Sequence, residues 1–135
     1  MKRSIAWPIA AFFALVVPGP IFAADLKDEV KVQIEGTAVD PNMKPGTFVC
    51  GEGHFHIKGT VQNLAAVPVG PVKVSGKVFD ADGKLLGTAT ASTKAAVLNP
   101  NDKAPINLEF LSVTGEKIKQ VKNQELTVVA VAPKP

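Results

Sequence analysis

Val72-Lys-Val-Ser-Gly-Lys-Val-Phe79, followed by Asp80-Ala-Asp-Gly83 and then by Leu85 to Ser92, decides the fold of this chain. Val72, Val74 and Val78 alternate with Lys73, Ser75 and Lys77, the period of a strand with one buried face. Asp80-Ala-Asp-Gly83 is turn chemistry: an Asp side chain caps nearby backbone amides, and Gly accepts a positive φ. The small-residue run from Leu85 to Ser92 then returns as the second arm of a hairpin.

The same grammar extends in both directions. Upstream, Val30, Val32 and Ile34 alternate with Lys31, Gln33 and Glu35, and a loop dense in turn formers follows from Asp40 to Gly46. A second strand is expected from about His54 to Gln62, with Phe55, Ile57 and Val61 on one side. His54, His56, Lys58 and Thr60 take the other side. Asn63 to Pro71, with Pro68, Gly70 and Pro71, reads as a connection. Downstream, Ala95 to Leu98 leads into the turn Asn99-Pro-Asn-Asp102. Ile106, Leu108 and Phe110 then alternate with Asn107 and Glu109. Glu116 to Asn123 suits a short helical turn or polar loop, and Leu126 to Val131 closes the domain. Six or seven short strands at roughly ten-residue spacing predict an all-β sandwich of about seven strands. Its expected core is Phe55, Ile57, Val61, Val74, Val78, Leu108 and Phe110.

Three pieces carry a family resemblance: Gly59-Thr-Val-Gln-Asn63, Val72 to Asp80 with its Asp-Gly turn, and Val97-Leu-Asn-Pro-Asn-Asp102. Together they resemble the FxLYD-type domain of exported bacterial proteins. Phe79 stands where that family often has Tyr, and Asn101 where its corner often has Gly. Asn tolerates the left-handed backbone such a corner needs. The resemblance covers about half of the mature chain. It implies an immunoglobulin-like fold and an exported location, and it brings no catalytic residues.

The N-terminus points to the same place. Lys2 and Arg3 precede an apolar run from Ile5 to Val17, then Pro18, Gly19 and Pro20, and then the small residue Ala23. This is the pattern of a secretory signal peptide, with residues 1–23 removed. The run is shorter than the roughly 20 residues that span a bilayer, so no stable membrane anchor is expected after cleavage. The mature domain would be residues 24–135, periplasmic or secreted, large enough to bury one core without disulfide staples.

The formal charge of +3 falls close to neutral in that mature chain, which keeps 13 lysines against 12 acidic residues. It has no Arg, Trp or Tyr. Arg supplies bidentate phosphate recognition and aromatics supply stacking platforms, so nucleic acid is not an expected partner. Sugars, which stack on Trp or Tyr, lose support for the same reason.

One cluster carries possible chemistry: Cys50-Gly-Glu-Gly-His-Phe-His56. It holds the only cysteine and both histidines. On an extended strand His54 and His56 share a face about 7 Å apart by strand rise, within reach of one ion. Gly51 and Gly53 let the chain fold Cys50 back towards them, Glu52 offers an oxygen, and Met43 offers a thioether. Thiolate and imidazole suit zinc or copper, and a thioether favours Cu(I). An unpaired thiol in an exported protein is buried and inert, pairs with another chain, or binds something.

For catalysis the chain is poor: Cys50 with His54 or His56 would make a thiolate–imidazolium pair, but on a strand with no evident oxyanion donors. Ser75, Ser92 and Ser112 lie in no nucleophile elbow. Asp80 and Asp82 lack the remaining ligands of a calcium loop, so the hairpin reading prevails there. The expectation is therefore a non-catalytic module that binds another envelope or secreted protein. The alternative is a periplasmic copper- or zinc-binding protein using Cys50, His54 and His56.

Overall fold

The computed structural model describes residues 26–135. The expected signal peptide, residues 1–23, and its cleavage point lie outside them. After a 3₁₀ turn at Lys27–Glu29 come seven strands: β1 Val30–Ile34, β2 Thr47–Val49, β3 Phe55–Asn63, β4 Val72–Phe79, β5 Leu85–Ser92, β6 Lys103–Phe110 and β7 Asn123–Val131. A single-turn helix, α1 Glu116–Gln120, precedes β7. Among the described residues no helix is long and apolar enough to cross a membrane.

The strands form two antiparallel sheets. In the first, β3 is central. β6 runs along one side of it from Phe55↔Phe110 to Gln62↔Lys103. β1 and β2 share the other side, β1 against Gly59–Asn63 and β2 against Phe55–Ile57. In the second sheet β4 lies between β5 and β7. Alternation along each strand turns apolar side chains towards the opposite sheet, and all seven expected core residues are buried, Phe55 at 2% exposure being the most accessible. Phe55 and Phe110 meet edge to face at 5.7 Å, an arrangement the ring quadrupoles favour. Gly76, in the middle of β4, gives Phe110 its room: a Cβ there would lie 3.0 Å from the ring and 3.2 Å from Leu108.

Turn residues act as their chemistry requires. Asp80 Oδ1 accepts from the backbone N–H groups of Asp82 and Lys84, and Gly83 has φ 83°. The carboxylate pair is thus a hairpin cap. Asn101 adopts φ 71° at the corner before β6, the only non-glycine residue with positive φ among those described.

Asn63, at the end of β3, is fully buried and joins both long connections. Its amide nitrogen donates to Val67 O and Leu98 O, and its amide oxygen accepts from Ala65 N. Ala95 to Leu98 forms no strand of its own. Leu98 instead makes one isolated bridge with Val69.

Two features depart from the alternation reading. β2 is a three-residue strand, too short for a period-2 pattern to register. The polar face of β3 is also less exposed than that pattern implies. His56 is buried, because β3 is an interior strand flanked there by β2 and β6, whose side chains close over it.

Candidate metal centre

The register brings one patch of side chains together on the outer face of the first sheet. Phe48 of β2 pairs with His56 of β3, which pairs in turn with Glu109 of β6, while Lys58 pairs with Asn107. Cys50, two residues beyond Phe48, follows on the same face. The β2–β3 connection is a tight turn in which Gly53 N donates to Cys50 O and Cys50 N donates to His54 O. Gly53 has φ 86°, the left-handed backbone that glycine permits without strain. This turn sets the cysteine beside the two histidines.

His56 is held on both flanks. Its ring stacks on Phe48 with centroids 4.6 Å apart and planes 19° from parallel. Its Nδ1 lies 2.9 Å from Asn107 Oδ1. An amide oxygen only accepts, so Nδ1 carries a proton, and in the neutral ring the lone pair sits on Nε2. That Nε2 is buried and has no hydrogen-bond partner. Glu109 Oε2 lies 3.7 Å from it.

His54 is used differently. It is only partly buried, with Nδ1 2.7 Å from Glu109 Oε2 and 4.0 Å from Glu52 Oε1. The hydrogen bond to Glu109 raises its pKa above the usual imidazole value, with desolvation opposing and the charges of Cys50, Glu109 and Glu52 adding. The Cys50 thiol is lowered, first by the backbone amide of His54 and further by that of Glu52 and the His54 charge, against a desolvation penalty. The thiolate is the form that binds a metal or attacks an electrophile.

Two donor sets result, sharing one carboxylate. Cys50, His56 and Glu109 each place a donor atom within 4.8 Å of the other two, and so do Glu52, His54 and Glu109. The three sequence candidates are therefore neighbours that divide between two sets. Cys50 and His56 converge, and His54 belongs to the other set with its Nδ1 already engaged. Met43 does not join either set. It packs against the core and lines, with Phe55, Ile118, Val121 and Gln124, a cavity of about 290 Å³ on the inner side of the sheet.

Glu109 and Asn107 escaped sequence reasoning. Their alternation with Ile106, Leu108 and Phe110 marks them as outward-facing, but nothing local ties residue 109 to residue 56. The link is a strand register across more than 50 positions. Comparison with known proteins adds no further guide: no protein-family model, curated protein or solved structure matches the chain.

Proposed function

We propose that this chain is a non-catalytic, exported β-sandwich that binds a transition-metal ion of the zinc or copper class through Cys50, His56 and Glu109. One observation carries the reading: the buried His56 Nε2 has no hydrogen-bond partner and faces a cysteine and a carboxylate. A buried polar atom left unsatisfied costs about 1–3 kcal/mol, so an orphan in an otherwise well-bonded side chain calls for a partner. An ion between the three donors would be that partner. His54 then serves outside the coordination sphere, donating to the Glu109 carboxylate. Export rests on the charged and apolar pattern of residues 1–23.

Titration of the reduced protein with Zn²⁺ and with Cu(I) tests this. Wild type should take up one equivalent, and Cys50→Ser and His56→Ala should each weaken binding sharply. Lys58→Ala, on the same face but outside both donor sets, should leave it unchanged. Uptake by wild type no greater than by Cys50→Ser overturns the proposal.

A second reading draws on the nine-residue strand β7, whose hydrogen-bonded neighbour is β4 alone. Its other side, beside β1 and the Lys27–Glu29 turn but without a ladder to them, keeps backbone groups for an extended segment to pair with by strand addition. This supports a module that docks another envelope or secreted protein, with the immunoglobulin-like, FxLYD-type character expected from the sequence. Retention of a partner from an envelope extract, lost when Thr127, whose residue lies on this edge strand, is replaced by Pro, would favour it.

A further inference from the structure

We infer that the ion is divalent zinc, bound by Cys50 Sγ, His56 Nε2 and a Glu109 carboxylate oxygen with solvent in the fourth position, and that Asn107 is the positioning residue for His56. This rests on the metal-binding reading above and names its ligand.

Three observations on the donor set point the same way. The strand register brings a carboxylate to the site, a hard oxygen donor that suits Zn²⁺ and adds little for Cu(I). The thioether that would have favoured Cu(I) is elsewhere, because Met43 packs against the core on the inner side of the sheet. Charge agrees as well. A thiolate and a carboxylate together carry two negative charges, which a divalent ion neutralises and a monovalent ion does not.

Distance agrees too. Nitrogen and oxygen donors at zinc-bond lengths stand about 3.4 Å apart in a tetrahedron. Nε2 and Glu109 Oε2 are 3.7 Å apart, so a closure of a few tenths of an ångström suffices. Each carboxylate oxygen has two lone-pair directions, so Glu109 can keep the His54 hydrogen bond while facing the ion. Three protein donors leave one position of the tetrahedron to solvent, the pattern of an open rather than a closed zinc site. Asn107 makes His56 competent. By accepting the hydrogen bond from Nδ1–H it fixes the tautomer whose Nε2 lone pair faces Cys50 and Glu109, as outer partners of metal-bound histidines do.

The test compares wild type, Glu109→Gln and Asn107→Leu in anaerobic competition titrations with Zn²⁺ alone and Cu(I) alone, with circular dichroism on each variant as a fold check. Glu109→Gln should weaken Zn²⁺ by more than about tenfold, and Asn107→Leu by about 10–100-fold, the usual loss for an outer partner. Cu(I) should change by less than about threefold in Glu109→Gln, because the carboxylate contributes little to it. If folded Glu109→Gln binds Zn²⁺ as wild type does, or loses both metals equally, the assignment is wrong although a metal site stands. If Asn107→Leu binds Zn²⁺ as wild type does, the positioning role is wrong. If wild type binds neither metal, the underlying reading falls with it. Co²⁺ loaded into wild type gives a check free of variants. Tetrahedral ligand-field bands with a thiolate charge-transfer band are expected, and a weak octahedral spectrum without that band overturns the assignment.

Discussion

Replacing Asn63 tests the logic of the fold at one buried polar side chain. Asn63→Ala removes a donor from Val67 O and Leu98 O and the acceptor from Ala65 N. Three neutral hydrogen bonds at about 1 kcal/mol each give a loss of about 3 kcal/mol. Leu98 O keeps its bond from Val69 N, which moderates the cost. Ala65 N–H, left in a buried position without an acceptor, holds the loss above about 2 kcal/mol. Urea unfolding followed by circular dichroism measures this. In a domain of this size the melting temperature should fall by on the order of 10–20 °C. Asn63→Asp sharpens the test. Its second oxygen would face two carbonyl oxygens at 2.9 and 3.0 Å unless protonated, so the folded state raises the Asp pKa. The native state then binds the proton more tightly than the unfolded chain. Stability is full below the unfolded value near 3.9 and falls by about 1.4 kcal/mol per pH unit above it, until the raised folded value is passed. A loss under about 1 kcal/mol for Asn63→Ala, or an Asn63→Asp variant whose stability ignores pH, would refute the reasoning.

Phe110→Ala, at a fully buried ring, should cost about 3–5 kcal/mol in the same unfolding assay, and exposed Lys58→Ala under about 0.5 kcal/mol; equal losses would mean that the faces of the first sheet are wrongly assigned. In the metal-free protein, an NMR titration should place His54 above the ordinary value of 6.5 because Glu109 accepts its ring N–H. The stabilisation from that pair is complete below the unfolded value and disappears as pH rises through the raised folded one. Glu109→Gln should return His54 towards 6.5, and an unmoved midpoint would remove Glu109 as the cause. N-terminal sequencing of the exported protein should begin at Ala24 or Asp25, given the small residues after the apolar run; intact Met1 in a membrane fraction would contradict the soluble exported form.

How far the sequence discloses this molecule depends on how far apart the interacting residues lie. Val72 to Ser92 is legible as a hairpin because alternation and turn chemistry are local: each residue's face follows from its neighbour's, and the Asp80 cap reaches only to Asp82 and Lys84. The core is legible for the same reason, since an apolar residue between two polar ones on a strand has one face to bury. β2 is lost because three residues make no period. The site is half legible. Cys50, His54 and His56 cluster within seven positions, so their proximity is visible, but which of them converge is set by partners on another strand. Glu109 accepts the His54 hydrogen bond and faces His56 Nε2, and Asn107 fixes the His56 tautomer. Both come from β6, delivered by a register that the core face, not the site, determines: Phe55↔Phe110 and Ile57↔Leu108 lock the strands, and His56↔Glu109 and Lys58↔Asn107 follow on the opposite face. A slip of one residue would turn Glu109 inward and Leu108 and Phe110 outward. The hydrophobic pattern that makes the sandwich therefore also aims the carboxylate, and the geometry of the site is a consequence of packing on the other side of the same sheet.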